Sequence, residues 1–309
     1  MSNSDQRLDE IILRLDRIEK ALNIVPNRDG IIKDFESSVS DYEIFAKTEL
    51  NLSQDTIDNQ KSIILRFLDD CYGIINKETV TQYLDSNESE SWKSNQVKAL
   101  RRYIRDFLKL GNWINEFEFS KTKAKIKSIP TDNQIVRFYE FLPRQIQVIF
   151  LILMTSGLRL NEVLSLRILD VSLETGMVNT TEIHKGSTKS SWISFITRQA
   201  SEVLEDWLMT SDCDHEGEEN HKIFCISDRT VQQAFKQASE TLGISINPHL
   251  LRTIFTEKYN QAGIKDKYID AFCGRVSHTV LAKHYTDYSP DALRKQYDLV
   301  EPLLILRSI

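Results

Sequence analysis

Six residues in the second half of the chain have the types and the order needed to break and rejoin a phosphodiester. Arg159 follows Thr155-Ser156-Gly157-Leu158, and Lys185 sits in His184-Lys185-Gly186. His249 and Arg252 stand at i and i+3 in PHLLRTIF, Gly274-Arg275 comes next, and Tyr285 follows in LAKHYTDY. Phosphoryl transfer without hydrolysis requires few parts: a hydroxyl that attacks phosphorus, fixed cations on the non-bridging oxygens, and a proton donor for the leaving 5′-oxygen. Guanidinium suits the second task, because its fork matches two phosphate oxygens and it keeps its charge. A lysine in a hairpin suits the third. Taken singly, each residue has a plainer explanation. Arg159 reads as a cation at a helix end, His249 as a residue of a helix N-terminus, and Tyr285 as a buried aromatic. Their joint order outweighs those explanations.

The surrounding segments resemble the boxes of the tyrosine recombinase family, the phage-type integrases. TSGLRLNEVLSL is similar to the family's G-L-R-x-x-E-L box, and HKGSTKSSWISF to its K-G-x-K-x-x hairpin. PHLLRTIFTEKYNQAG is similar to the H-x-L-R-H-x-F box, and FCGRVSHTVLAKHYTDY to the L-G-H-x-x-x-x-x-T-x-x-Y ending. The resemblance extends to residues 31–120, which are similar to the family's core-binding domain. It implies that Arg159 and Arg252 clamp the scissile phosphate and that Lys185 protonates the leaving oxygen. It further implies that His249 assists proton transfer and that Tyr285 forms a 3′-phosphotyrosine. Glu162, one turn from Arg159, would buttress the site. Lys189, in the same hairpin, is the alternative acid, and Tyr288 the alternative nucleophile.

Arg275 departs from the pattern, standing where most members carry His or Trp, with one extra residue before Tyr285. Arginine still donates to a phosphate oxygen but exchanges no proton near neutrality. A Gly-Arg here, with Lys-His-Tyr at the nucleophile, resembles the archaeal viral integrase branch. The implied activity is site-specific recombination of double-stranded DNA at attachment sites, by protomers that self-associate, as a tetramer on DNA, with no cofactor. The rival functions are DNA relaxation of the type IB topoisomerase kind and non-catalytic DNA binding.

These residues need elements to position them. RQIQVIFLILMTSG reads as an apolar helix that Gly157 ends, and PTDNQIVRFYEFL starts on a Pro-Thr-Asp signal. GMVNTTEIHKGSTKSSWISFI alternates like a hairpin or a three-stranded sheet. Residues 131–309 thus read as a catalytic domain. Its C-terminal tail carries Leu299, Val300, Leu303, Leu304, Ile305 and Leu306, too apolar to hang free. That tail packs on its own domain or, as the resemblance implies, on a neighbouring protomer.

Residues 31–120 read as a run of helices, with Ser53 and Asn76 as start signals. In Trp92–Lys109, Val97, Leu100, Ile104, Phe107 and Leu108 share one helical face. Lys98, Arg102, Arg105 and Lys109 fall on the other, with Arg101 at its border. A stripe of one sign is unusual for a merely solvated face, and it suits phosphate tracking along DNA. Residues 121–130 read as a basic linker, with Lys121, Lys123, Lys125 and Lys127. Residues 1–26 read as an amphipathic helix or short coiled coil on Leu8, Ile11, Leu15, Ile18 and Leu22. The fold class that follows is mainly α: a helical core-binding domain, then an α-helical catalytic domain with a small β-sheet or hairpin.

A net charge of −6 argues against nucleic acid only if the acids share a surface with the bases. Asp212, Asp214, Glu216, Glu218 and Glu219 instead crowd one loop-like stretch, which has no metal-ligand spacing. No run approaches the ~20 apolar residues of a membrane span. Cys71, Cys213, Cys225 and Cys273 are scattered, which suits the reducing cytoplasm better than a disulfide framework or zinc site. A DNA-bound recombinase would there be associated with the nucleoid.

Overall fold

The computed structural model describes residues 31–86, 90–119, 128–181, 193–210, 221–275 and 286–307. The amphipathic segment 1–26, linker residues 121–127, Lys185, Lys189, the acidic stretch 211–220 and Tyr285 lie outside the described residues. The chain divides into two compact units, Met1–Ile126 and Lys127–Ile309.

In the first unit, α1 (Phe35–Thr48) begins where the Asp34 carboxylate accepts from the Ser37 amide at 2.9 Å. Helix α2 (Gln54–Asp70) follows Ser53, and α3 (Lys77–Asp85) opens on a reciprocal cap between Asn76 and Thr79. Helix α4 (Glu90–Leu100) runs on into a wider, π-helical stretch over Arg101–Phe107. There the Leu108 amide reaches back five residues to the Tyr103 carbonyl, at 2.9 Å. Val97, Leu100, Ile104 and Leu108 are buried, as their spacing requires. The wider winding also seats Tyr103 in the core, where its hydroxyl meets Ser38 at 2.5 Å and its ring meets Tyr42 edge-on.

The second unit is built around α6 (Arg144–Ser156), buried along almost its whole length. Helix α5 (Asp132–Phe141), opened by a Thr131–Gln134 capping box, packs beside it. After the short α7 (Leu160–Leu164) come β1 (Val171–Ser172), β2 (Met177–Asn179) and β3 (Ile193–Phe195). They form an antiparallel sheet in the order β1-β2-β3, with Val178 opposite both Val171 and Ser194. Helices α8 (Arg198–Thr210), α9 (Asp228–Leu242), α10 (Pro248–Gln261) and α11 (Asp266–Phe272) follow. Helices α12 (Pro290–Asp298) and α13 (Glu301–Leu304) complete the unit. The fold is mainly helical with one small sheet.

The tail packs on its own unit. Val300 and Leu304 are buried, and the Gln199 amide clamps the Leu306 backbone, accepting from its N–H at 3.0 Å and donating to its carbonyl at 2.9 Å. Leu299, Leu303 and Ile305 remain exposed on the outer side.

Candidate active site

The site begins where α6 stops. Gly157 takes φ +68°, a left-handed conformation that ends the helix. A Cβ there would meet the Phe255 ring at 2.6 Å, so the turn also needs a residue without a side chain to lie against α10. Arg159 follows as the N-cap of α7, with extended backbone. One Glu162 carboxylate oxygen accepts from the Arg159 amide at 2.7 Å, and the other from its guanidinium at 2.6 Å. Glu162 is buried while Arg159 is about one-third exposed, so the pair holds the arginine from behind and leaves donors facing outward.

Helix α10 supplies the second cation. Asn247 caps it by accepting from the Leu250 amide at 2.9 Å, and Pro248 occupies the first turn. His249 is exposed in that turn, and Arg252, one turn further, is 4% exposed. The Arg252 guanidinium donates to the Gly157 carbonyl at 2.7 Å and to the Cys273 carbonyl. It also stands 4.0 Å from Glu162. Arg252 therefore ties together the end of α6, the end of α11 and the carboxylate that holds Arg159.

Arg275 leaves the C-terminal end of α11. Its amide donates to the Asp270 carbonyl at 2.8 Å, and its guanidinium reaches the Asp270 carboxylate at 3.4 Å. Burial depresses the Arg252 pKa below the usual arginine value, and the nearby positive charges of Arg159 and Arg275 push it the same way. Arginine keeps its proton near neutrality regardless. Three guanidinium groups thus converge from separate parts of the sequence, and an anion between them would relieve their mutual repulsion.

A groove of about 1250 Å³ brings Arg159, Glu162, His249 and Arg252 together. Its opposite wall is α9, through Arg229, Gln232, Gln233 and Lys236. Sequence reasoning missed this wall. The signal was present, since those four residues recur at helical spacing opposite Val231, Phe235 and Ala238, which are buried. Tyr288 packs edge-on against Tyr268, with ring centroids 6.3 Å apart, beside the core formed by Phe255, Tyr259 and Phe272.

The members of the basic stripe of the first unit have different surroundings. Arg101 donates to the Asn115 and Phe117 carbonyls at 3.1 and 2.5 Å, and its guanidinium lies 4.3 Å from the Phe119 ring centroid. Arg105 forks onto Asp106 at 2.6 and 2.9 Å and donates to the Asn115 side chain at 2.9 Å. Both arginines lie within the π-helical stretch Arg101–Phe107. Lys98 and Arg102 instead line one groove with Asp55, Asn59 and Asn95. Lys109 is exposed at φ +57°, with its ammonium 5.8 Å from the Phe45 ring centroid.

Comparison with known proteins identifies the assembly. The model of the phage integrase family matches residues 130–291, just over half of the 309-residue chain. The chain belongs to this family. Among its relatives, tyrosine recombinase XerA of Thermococcus onnurineus (strain NA1) is 22% identical over 279 residues, covering 86% of this chain and 97% of that protein. Tyrosine recombinase XerA of Saccharolobus solfataricus (strain ATCC 35092 / DSM 1617 / JCM 11322 / P2) is 25% identical over 217 residues, covering 69% and 70%. Both sources are archaeal, in keeping with the branch the sequence resembles. In solved structures, the fold is similar to that of a lambda integrase dimer bound to a COC′ core site. That likeness has a TM-score of 0.62 at 18% identity and covers 82% of this chain and 77% of that one. The Tn1549 transposon integrase in complex with circular intermediate DNA gives a TM-score of 0.60 at 13% identity, covering 84% and 98%.

Proposed function

We propose that this integrase recombines double-stranded DNA at specific sites through a covalent 3′-phosphotyrosine at Tyr285, with Arg159 and Arg252 clamping the scissile phosphate. The observation that carries the assignment is the meeting of Arg159 and Arg252 at a buried Glu162, with His249 in the same groove and Arg275 two residues beyond the Cys273 carbonyl that Arg252 holds. The Tyr285 oxygen attacks phosphorus while the bond to the 5′-oxygen breaks. Lys185 donates the proton that makes the leaving group a 5′-hydroxyl. Rejoining runs the steps backward: a 5′-hydroxyl attacks the phosphotyrosine and Tyr285 leaves. His249, exposed at the rim, assists proton transfer at the tyrosine. Arg275 adds a fixed positive charge and moves no proton.

The arginines neutralise the charge that a phosphoryl transition state builds up. The phosphodiester energy is stored in the tyrosine ester, so resealing needs no nucleotide cofactor. The α9 face carrying Arg229, Gln232, Gln233 and Lys236 lies against the duplex beside the cut. Lys98, Arg102 and Lys109 of the first unit meet its backbone, with Arg101 and Arg105 holding the segment beneath them. The enzyme works on DNA in the cytoplasm as a self-associated assembly. A related fold has been seen as a lambda integrase tetramer bound to a Holliday junction, which supports a tetramer for the complete reaction here.

The test is a duplex attachment site nicked near the cleavage point, so that the covalent complex cannot reseal. The expected result is an adduct that Tyr285→Phe abolishes. An adduct surviving that change would move the nucleophile elsewhere, with Tyr288 the first candidate.

A further inference from the structure

Helix α11 is short, about 10 Å at 1.5 Å per residue, yet it holds both residues that flank segment 276–285. At the entry, the Asp270 carbonyl accepts from the Arg275 amide at 2.8 Å and the Asp270 carboxylate meets the Arg275 guanidinium at 3.4 Å. At the exit, the Lys267 ammonium donates to the Thr286 hydroxyl at 3.2 Å. The neighbouring Tyr268 ring meets Tyr288 edge-on, with centroids 6.3 Å apart, and the Lys267 ammonium lies 5.0 Å from the Tyr268 ring centroid. Lys267 and Asp270 stand at i and i+3, on one side of the helix. The other side buries Ile269, Ala271 and Phe272 in the core. At its C-terminal end, the Cys273 carbonyl accepts from Arg252.

One rigid element therefore refers three things to one another: the buried clamp arginine, the exposed Arg275, and the residue immediately after Tyr285. A nucleophile must lie within a few tenths of an ångström of its attack position, and small misplacements are costly in rate. Resting on the assignment of Tyr285 as nucleophile, we infer that Lys267 is a positioning residue for strand cleavage, acting through its hydrogen bond to Thr286 to hold Tyr285 in register with the Arg159–Arg252 clamp. Lys267 is half-buried, and the role inferred for it is geometric, exerted through Thr286. Tyr268 and Tyr288 supply the apolar half of the same anchor.

The experiment uses the full-length protein and the nicked attachment-site duplex, with single-turnover cleavage and DNA affinity measured separately. Lys267→Ala and Thr286→Val should each slow cleavage by about ten- to a hundredfold, with affinity and melting temperature unchanged. Thr286→Ser, which keeps the hydroxyl, and Lys267→Arg, which keeps a donor, should restore most of the rate. The double variant Lys267→Ala/Thr286→Val should be no slower than the slower single variant, within about twofold. Normal cleavage by Lys267→Ala, additive losses in the double variant, or a slow rate matched by weaker DNA binding would each overturn the inference. Tyr285→Phe is assayed alongside. An adduct formed by that variant overturns the nucleophile assignment and with it the target of the anchor, and it is seen independently of the Lys267 rates.

Discussion

Two groups of basic residues look alike in composition and behave differently in the structure. Residues 98–109 place Lys98, Arg101, Arg102, Arg105 and Lys109 on a single continuous stretch, yet Arg101 and Arg105 are bound to carbonyls, an asparagine and an aspartate of their own unit. Arg159, Arg252 and Arg275 are far apart in sequence, yet Arg159 and Arg252 meet at Glu162 and Arg275 follows two residues after the Cys273 carbonyl that Arg252 holds. Burial first, and then these neighbouring charges, lower the Arg252 pKa. A row of charge along one helix costs little to build, because each side chain can find water or a local partner. Gathering three arginines requires a fold that opposes their repulsion, here with one buried carboxylate and two backbone carbonyls. The gathered set is the stronger sign of an anion site.

Removing the most buried cation tests that contrast hardest. Arg252→Ala should lose at least about 2.7–4 kcal/mol of transition-state stabilisation, a 10²–10³-fold fall in cleavage rate. Arg252→Lys should not rescue it, since an ammonium cannot reach the Gly157 and Cys273 carbonyls and a phosphate together. Arg252→Ala also leaves the Gly157 and Cys273 carbonyls without their buried donor, so its melting temperature falls as well. Single-turnover cleavage of the nicked duplex decides the matter, and a near-normal rate would remove Arg252 from the clamp.

Arg159 offers a control of the same shape within the same unit. Arg159–Glu162 and Arg167–Asp170 are both arginine–carboxylate pairs at i, i+3, each closing on the arginine's own amide. Arg167 spends both arms of its fork on Asp170, at 3.0 and 2.9 Å, whereas Arg159 meets Glu162 through one nitrogen at 2.6 Å. Arg159→Ala should cut cleavage by about 10²–10³-fold with DNA binding retained. Arg167→Ala should cost about 1–3 kcal/mol of stability while leaving cleavage per folded molecule unchanged. Thermal melts beside cleavage rates separate the two, and equal cleavage losses would mean that both pairs are structural.

Much of the site could be read from the sequence, because its parts are side chains with distinctive chemistry at short local spacings. The Thr-Ser-Gly stop before Arg159, the three-residue step from His249 to Arg252, and the apolar character of α6 are all local facts. Less was legible where the partner is backbone or lies far away in the chain. Nothing in sequence marks the Gly157 and Cys273 carbonyls as Arg252 acceptors, since every residue carries one. The α9 wall reads as an ordinary solvated face, because Gln232 and Gln233 are uncharged and only the groove shows what they oppose. The π-helical stretch was invisible for a different reason. Its extra residue per turn serves the fit of Tyr103 against Ser38 and Tyr42, a tertiary demand that no helical periodicity encodes.

That winding sets the smallest effect, and the sharpest division within the basic stripe. A phosphate contact releases counterions, so each one lost lowers the slope of log affinity against log salt by about 0.9. Lys98→Ala and Arg102→Ala should each reduce the slope by about that amount and weaken all duplexes alike. Arg101→Ala and Arg105→Ala should leave the slope unchanged. Their loss frees the Asn115 and Phe117 carbonyls and the Asn115 side chain, at about 1 kcal/mol each in the stability of the first unit. Titrating binding across a salt series, with a melt for each variant, resolves the two classes. If all four variants lower the slope equally, the arginines leave their intrachain partners on DNA, and the helix is a single phosphate-binding face after all. If none does, Lys98 and Arg102 serve only their own groove, and the first unit meets DNA through another surface.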